Sequence, residues 1–325
     1  MARGIRIRAL ISFAWVSALG VLSACVKDIA IEVVPEPPRL AIYSILQPDS
    51  LVSVWISQTK SVIDRHPFQA VTNATVIISA DNGLTQTLNL VDADRGRYQA
   101  DFIPQPEVTY RLSVTAEGYP PVEAITTVPS LVSLDNVDYR IIPANKPTDC
   151  AEAGACADTV TRYTFALTFS DPVSTRNYYR VSSSLKYRSE TSNLESSGGE
   201  TATVWDTLTT TANNNSVDPV LEGLEALTID EPYEKYRDYY FTDQLFNGQE
   251  YTFAYTSEVE EAFPLSMNIT LTQYHKAGYH YLQSIALQEE LGDIFSELIP
   301  LAQNIQGGYG IFSSFSQDRI VIKLD

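Results

Sequence analysis

The amino-acid sequence predicts a mainly β protein, with an N-terminal immunoglobulin-like β-sandwich and a second, larger β-rich domain that carries one amphipathic helix. Three observations predict this class. The composition, with 19 Tyr and 12 Phe among 325 residues but only 15 Gly, favours strands. Short apolar runs recur between turn residues along most of the chain. One segment near the carboxyl end instead follows the period of a helix.

Residues 1–24 predict a lipoprotein signal peptide. Three arginines precede an uncharged apolar stretch at residues 9–22, which is shorter than the roughly 20 residues of a membrane-spanning helix. The letters "LSAC" at residues 22–25 resemble a bacterial lipobox, in which the thiol receives a diacylglycerol and the peptide is cut before the cysteine. We therefore expect Cys25 to be lipidated and to become the first mature residue. A transmembrane anchor and an ordinary cleaved signal are the less favoured alternatives.

The mature chain is predicted to begin with a short tether and to carry an acidic surface. Residues 26–38 contain three prolines, which favour an extended path and lift the first domain by a few tens of ångströms at most. Without the signal peptide the 22 basic residues fall to 19 against 40 acidic ones, so the formal net charge changes from −18 to −21. Such a charge repels nucleic acid and anionic lipid head groups, so a nucleic-acid role is excluded.

Residues 39–130 are predicted to form the immunoglobulin-like sandwich. Short β-like runs are separated there by turn residues, at the spacing of a sandwich of roughly 90 residues. The turn Asp81-Asn82-Gly83 is a strong hairpin signal, because both central positions of the turn can adopt positive φ. The cysteine and tryptophan spacing of antibody domains is missing, so the likeness concerns shape alone. The runs are "RLAIYSIL", "LVSVWISQT", "NATVIISA", "TQTLNLV", "GRYQADF", "VTYRLSVTAEG" and "PVEAITTVP".

Residues 131–325 are predicted to form the larger second domain, with strands that begin near Leu134. Polar stretches at residues 143–158, 190–200 and 211–218 are predicted to be long surface loops. The strand-like runs that alternate with them are "VDYRII", "TRYTFALTFSD", "NYYRVSSSLKYRS" and "TATVWDTLTT".

The first of these predicted loops contains two of the three cysteines, Cys150 and Cys156. In a chain that is exported from the cytoplasm, we expect them to form a disulfide that closes a small loop. Lipidation of Cys25 would then account for the third cysteine. A metal site is the alternative, but no histidine lies near and the spacing is not that of a zinc knuckle.

One segment near the carboxyl end departs from the β pattern. Residues 272–290 are predicted to form an amphipathic helix that packs on a sheet, with Thr272 as its cap and Gly292 as its stop. Its apolar positions recur at helical spacing, as Tyr274, Gly278, Tyr281 and Ile285. Three closing strands are expected after it, in "ELIPLAQNI", "YGIFSSFS" and "DRIVIKLD".

The sequence predicts no enzymatic or metal chemistry. Of the three histidines, His66, His275 and His280, the last two would lie about 140° apart on the helix, so they do not share a metal from one face. No hydrolase elbow, phosphate loop or dinucleotide motif is present. The glycine-rich stretch "NIQGGYG" at residues 304–310 lies between predicted strands, and a tight turn is preferred there over a ligand loop. We therefore expect no catalytic residue, no cofactor and no metal.

Carboxylate and aromatic clusters are weak signals in this chain. An acidic protein supplies carboxylate pairs by chance, so Asp230-Glu231, Glu234, Asp238 and residues 258–261 do not support a glycosidase pair. Tyrosines could stack on a sugar or a peptide, but ordinary strand residues are the preferred interpretation. They are Tyr178-Tyr179 and the tyrosines between Tyr233 and Tyr240.

Segments spread over the mature chain match those of a known family. They include Cys25 followed by Lys27-Asp28, the strands "PRLAIYSIL" and "NATVIIS", and "YFTDQLFNGQEYTFAY" at residues 240–255. The most specific part is "YLQSIALQEE", which leads through "IFSELIPLAQNIQGGYGIFSSFS". This pattern resembles the lipoproteins of Bacteroidota that carry "domain of unknown function 4249". Leu298-Ile299-Pro300 and Tyr309 depart from the family pattern but keep its packing character.

The resemblance implies a role in transport rather than a chemical activity. Members of the family are typically encoded beside TonB-dependent outer-membrane receptors, and no catalytic residues are established for them. Val26 lacks the inner-membrane retention signal of enteric lipoproteins, and Lys27-Asp28 weakly resembles the signal that sends lipoproteins of this phylum to the cell surface.

The predicted function is that of a non-enzymatic lipoprotein of the outer membrane, exposed at the cell surface, that assists a TonB-dependent receptor. A structural or adhesive surface lipoprotein is the alternative. An envelope hydrolase with an unrecognised site is the second alternative. The residues that bind a ligand stay unknown at this stage.

Overall fold

The structure is a computed structural model. The residues it describes form sixteen strands, one short 3-10 turn and one α-helix, which confirms the mainly β class with a single helix. The immunoglobulin-like character of the first sandwich stays a prediction. The described residues are 37–61, 64, 66–147, 157–173, 176–188, 209–212, 238–260, 263–291 and 300–324.

Eight strands follow the runs predicted for the first sandwich. The fourth run, "TQTLNLV", divides at the buried Leu88: its first part pairs with one sheet and its second part with the other. The strands are β1 (Leu40–Leu46), β2 (Ser53–Gln58), β3 (Thr75–Ala80), β4 (Thr85–Thr87), β5 (Asn89–Asp92), β6 (Arg97–Gln99), β7 (Thr109–Thr115) and β8 (Val122–Thr127).

Two strands of the second half are longer than the sequence predicted. Both extend into residues 143–158, which were expected to be a loop. The strands of this half are β9 (Leu134–Pro147), β10 (Ala157–Ser170), β11 (Tyr178–Arg188), β12 (Thr209–Ala212), β13 (Asp238–Thr242), β14 (Glu250–Glu260), β15 (Phe263–Tyr274) and β16 (Tyr309–Lys323). The 3-10 turn is Asp243–Leu245, and the helix α1 is Lys276–Leu291.

The helix begins four residues later than predicted. Thr272 is not its cap but a buried residue of β15, paired with Arg180 on one side and Gln317 on the other. Pairing with two neighbouring strands satisfies the backbone there, so the helix starts only beyond Tyr274. His275 is the residue that caps it, because its ring Nδ1 accepts the Ala277 N–H at 3.2 Å.

Three sheets are present in the described residues. The largest has the strand order β13-β11-β15-β16-β1-β2-β6-β5, and the four-stranded sheets have the orders β4-β3-β7-β8 and β12-β14-β10-β9. Each four-stranded sheet packs against one half of the large sheet, and a buried apolar cluster fills the space between the two sheets. Two sandwiches therefore lie side by side and are joined through the large sheet.

The carboxyl-terminal strand belongs to both sandwiches. The first part of β16 pairs in parallel with β1, from Ala41 with Tyr309 to Leu46 with Ser314, and its second part pairs antiparallel with β15. The two predicted strands "YGIFSSFS" and "DRIVIKLD" are thus one strand of fifteen residues. The run "ELIPLAQNI", residues 297–305, was expected to form another strand, but its described residues 300–305 form none, and the next residue, Gln306, makes only a bridge with Glu123.

Polar residues of β16 separate the two cores and hold the linker between the sandwiches. Ser314 and Ser316 donate to the carbonyls of Thr127 and Ser130, both at 2.7 Å. The predicted division between residues 130 and 131 stays a prediction, and the structure adds a strand that both sandwiches use.

Candidate functional site

The predicted lipidation and disulfide fall outside the described residues. Cys25, Cys150 and Cys156 all lie there, so both modifications stay predictions. The same holds for Tyr233 and for Asp230, Glu231 and Glu234, the first of the predicted acidic cluster.

The three histidines lie in separate settings. His66 is exposed in the loop after β2, and His275 caps α1. His280 packs edge-on against Tyr178 and contacts Gln283 at 3.2 Å. Within the described part of the chain, no three side chains of the types that bind metals come together.

The tyrosine pair of β11 divides between the two faces of the large sheet. Tyr179 lies in the second core, whereas Tyr178 packs with Tyr240 and Tyr279 beneath α1. Tyr178 is only 7% exposed, and the two rings beside it are 1% exposed. These rings therefore fill space between helix and sheet, which favours the preferred interpretation over ligand stacking.

The glycine-rich stretch at residues 304–310 is a close-packed connection. Gly310 has φ +110°, and a Cβ there would overlap the carbonyl of Ile42 on the neighbouring strand. The Asn304 side chain pairs with the Phe312 backbone, accepting from its N–H at 2.9 Å and donating to its carbonyl at 2.7 Å. Backbone approach and strand pairing thus account for Gly310 and Asn304, and Tyr309 and Gly310 belong to β16 rather than to a turn between two strands.

A buried polar network at one end of the second sandwich was not predicted. Asp171, which directly follows β10, accepts from the Tyr179 hydroxyl at 2.5 Å and from the Gly248 N–H at 2.7 Å. Asn177, which precedes β11, donates its backbone N–H to Asp243 at 2.8 Å. The network therefore joins the turn before β11 to the turn that follows β13.

The electrostatics of this network oppose charge on one of its acids. Burial, followed by smaller effects that include the nearby Asp171, raises the pKa of Asp243 above its ordinary value of 3.8. Burial and the Asp171 carboxylate also raise the pKa of Tyr179. The one sequence signal for Asp171 and Asn177 is that each lies just outside an apolar strand. Many surface residues share that signal, so it does not single out a buried network.

A half-exposed aromatic group lies on the outer face of the large sheet. Tyr43 and Trp55 are cross-strand partners whose ring centroids lie 5.8 Å apart. Burial, with additional effects from Tyr281 and Tyr274, raises the pKa of Tyr43 to about 12. Gly278 of α1 approaches Ser313 of β16 closely, so the first turns of the helix cover part of this face.

A shallow surface pocket of about 470 Å³ lies beside the loop that follows β2. Lys60 donates to the His66 carbonyl at 2.6 Å, and its ammonium lies 4.6 Å from the ring centroid of Phe68. Hydrogen bonds from the backbone and the ring of His66 hold the pKa of Asp64 below its ordinary value. The pocket is lined by Gln58, Thr59, Lys60, Asp64, His66, Pro67 and Gln69.

Among the described residues, no helix has the length and apolar character that crossing a membrane requires. The pocket is exposed, and Lys60 of its lining lies against the ring of Phe68, which is not itself part of the lining.

Comparison with curated proteins finds no match. Comparison with solved structures finds only weak likeness. A Corynebacterium diphtheriae protein described as membrane anchored is 10% identical with a TM-score of 0.20; the alignment covers 85% of this chain and 59% of that one. The collagen binding domain of the Erysipelothrix rhusiopathiae surface protein RspB is 9% identical with a TM-score of 0.17, covering 86% of this chain and 94% of that one. Likeness at this level does not extend to function.

The C-terminal domain of the Streptococcus agalactiae AgI/II polypeptide BspA gives a similar result, with 11% identity, a TM-score of 0.17, and coverage of 74% of this chain and 96% of that one. The comparison with protein families, unlike the comparison with structures, gives a match over most of the chain: the family described as "Domain of unknown function (DUF4249)" matches residues 26–320. This match confirms the family that the sequence pattern indicated. The chain belongs to the DUF4249 family.

Proposed function

We propose that this protein is a non-enzymatic lipoprotein of the outer membrane, exposed at the cell surface, that binds a ligand or a transporter as the accessory partner of a TonB-dependent receptor. The observation that carries the proposal is the lipobox that ends in Cys25, placed shortly before the first strand at Leu40. The acyl chains would hold the protein on the membrane more firmly than a single chain could.

The two buried acids of the second sandwich are held by hydrogen bonds within the protein. Both carboxylate oxygens of Asp171 accept hydrogen bonds, one of them from a backbone N–H. Asp243 likewise accepts from the backbone of Asn177. These acids therefore serve to hold turns together.

The anchor is tested by replacing the acylated thiol. We expect labelled palmitate to enter the wild-type protein and the protein to fractionate with the outer membrane. Cys25→Ala should take up no label and should leave that fraction, because the thiol that accepts the diacylglycerol is missing. Cys150→Ala is the matched control and should keep the label. Equal labelling of wild type and Cys25→Ala would contradict the anchor.

The partner is tested by mild cross-linking of intact cells followed by immunoprecipitation. We expect a TonB-dependent receptor to be recovered with the wild type and not with Cys25→Ala. Protease added to intact cells should degrade the wild-type protein if it faces outward. Recovery of periplasmic proteins alone would contradict the proposal, and binding to extracellular matrix without a receptor would favour the adhesive alternative.

A further inference from the structure

The register of the shared strand distinguishes the two ends of the first sandwich. β1 begins beside Tyr309, and both strands then run in the same direction until β16 passes into the second sandwich. The start of β1 therefore lies at the end of the first sandwich that is remote from the second. The predicted tether, residues 26–38, precedes β1 in the chain, so the point where it joins the first strand lies at this remote end, which we call the tether end.

The loop that follows β2 lies beside the point where the tether enters. The backbone N–H of Arg39 donates to the Thr59 hydroxyl at 2.9 Å, and the Thr59 N–H donates to the Arg39 carbonyl at 2.9 Å. The turn between β7 and β8 joins them, since the Tyr119 hydroxyl donates to Gln58 at 2.8 Å. Lys60 and the surface pocket thus form part of the tether end.

The tether end exposes an apolar ring next to cations. The Phe68 side chain is 66% exposed, the largest value among the exposed aromatic residues described. Lys60 lies against this ring, and the Arg39 guanidinium lies 5.7 Å from the ring centroid of Tyr309, which is 40% exposed. Aromatic rings with lysine or arginine beside them are the side chains that proteins place at the boundary between water and lipid.

The charges of the two ends differ. The opposite end of the sandwich consists of residues 47–52, 81–84 and 100–108, which contain four acidic residues and no lysine or arginine. The described residues between strands at the tether end, within 37–39, 59–74, 93–96, 116–121 and 300–308, contain three basic residues, Arg39, Lys60 and Arg95, against the three acidic residues Asp64, Asp94 and Glu117. In a mature chain of formal net charge −21, an anionic surface therefore repels this end less than the opposite end.

We propose that the tether end rests on the membrane that carries the lipidated Cys25, with Phe68 at the level of the head groups and Lys60 and Arg39 against lipid phosphates. This inference rests on the proposed lipid anchor. Fully extended, residues 26–38 would hold the sandwich about 40 Å from the lipid, so the tether permits contact without enforcing it. The exposed Phe68 ring and the cations beside it would hold the sandwich against the lipid.

The test measures how closely single positions approach lipid. The full mature lipoprotein is reconstituted in vesicles of equal parts phosphatidylethanolamine and phosphatidylglycerol with brominated acyl chains, which quench nearby tryptophan. Phe68→Trp is compared with Ile103→Trp, a control at the opposite end where the side chain is 50% exposed. The parent protein is measured alongside, because Trp55 and Trp205 emit in every sample.

We expect the tryptophan at position 68 to be quenched at least about twofold more than the one at position 103, because only the former enters the head-group region. Adding Lys60→Glu to Phe68→Trp, or replacing the anionic lipid by phosphatidylcholine, should reduce this quenching. Circular dichroism verifies that each variant keeps its fold, which is expected at exposed positions.

Intact mass measured on the same samples separates the two proposals. Acyl chains on Cys25 with equal quenching at positions 68 and 103 would overturn the membrane contact and leave the anchor standing. Absence of the acyl chains would overturn both. Protection of position 68 only when a receptor is present in the vesicles would also overturn the membrane contact, because the surface would then bind protein.

Discussion

The two sandwiches are built on the same strand alternation, yet their cores differ in kind. Of the 20 buried residues in the first cluster, only Tyr98, Tyr110 and Phe312 are aromatic, and the rest are mainly Leu, Ile and Val. The second cluster has 17 buried residues, of which nine are Phe or Tyr. Alternating burial therefore specifies where a core lies. The size and shape of the side chains decide how that core is packed.

The aromatic core is organised by ring contacts. Phe241 and Phe253 are stacked with their centroids 5.0 Å apart, and Phe246 and Tyr251 with theirs 3.8 Å apart. Such pairs add specific geometry to the burial of apolar area. Aliphatic residues in the first sandwich lack this geometry, so they tolerate exchange of shape more readily.

The cores also differ in polarity, and yet they share a strand. Among the described residues, the buried carboxylates, Asp171 and Asp243, belong to the second sandwich alone. β16 contributes Phe312 to the first core, while Ile320 and Ile322 pack against the second. One strand thus links two cores of different chemistry, and the two cores are expected to unfold together.

The largest expected effect comes from disturbing the pairing of the shared strand β16 with β1 in the first sandwich. Gly310→Ala places a Cβ against the Ile42 carbonyl at a positive φ, and we expect it to lower the free energy of unfolding by more than about 4 kcal/mol. Gly83→Ala is the matched control, because its φ is also positive but the space around it is open; a loss of about 1 kcal/mol is expected. Urea denaturation measures both, and equal losses would contradict the close approach.

The next prediction tests whether the cores unfold together. Phe253→Ala in the second core should lower the free energy of unfolding by about 3–5 kcal/mol, because the cavity it leaves cannot collapse fully. In a Trp205→Phe background, Trp55 of β2 reports on the first sandwich. We expect its urea midpoint to fall as well, since β16 joins the two. An unchanged Trp55 midpoint would mean that the sandwiches unfold independently.

A smaller effect concerns the buried carboxylates. Because the pKa of Asp243 is raised in the folded protein, its contribution to stability is greatest below its ordinary pKa and is lost as the pH rises through the raised value. Asp243→Asn keeps an acceptor for the Asn177 N–H and has no charge, so at pH 7 we expect it to equal or exceed the wild type by less than about 1 kcal/mol.

Asp243→Ala serves as the control for that substitution. It leaves the Asn177 N–H unpaired, and a loss of about 1–3 kcal/mol at every pH is expected. Urea denaturation at pH 4 and pH 7 distinguishes the three proteins. A wild-type stability that rises between these pH values relative to Asp243→Asn would contradict the assigned direction.

The smallest expected effect lies at the start of α1, on the outer face. Burial lowers the pKa of His275 below its ordinary value of 6.5, so its contribution is present above pH 6.5 and is lost as the pH falls through the lowered value. Protonation of Nδ1 also removes the acceptor for the Ala277 N–H. Relative to His275→Asn, which caps without titrating, the wild type should lose up to about 1 kcal/mol between pH 7 and pH 5. Parallel pH profiles of the two proteins would contradict the cap.

Sequence patterns predicted the strands between residues 40 and 127 well because these strands are short and bounded by turn residues. The prediction failed at Leu88, where the chain changes sheets within one run, because alternation carries no information about which sheet a strand joins. It also failed at Thr272, where pairing with two distant strands extends β15 through residues that read locally as a helix start. The Asp171 network escaped prediction because its members are up to 77 residues apart.

Local pattern was sufficient for the mainly β class, the single helix, the family and the expectation of a lipid anchor, because each depends on neighbouring residues that interact or are recognised together. The passage of β16 through both sandwiches, the separation of an aliphatic from an aromatic core, and the position of Phe68 against Lys60 depended on folding. The first two arise from pairing between segments far apart in the chain, where burial and backbone hydrogen bonding select one register among many that the local sequence permits.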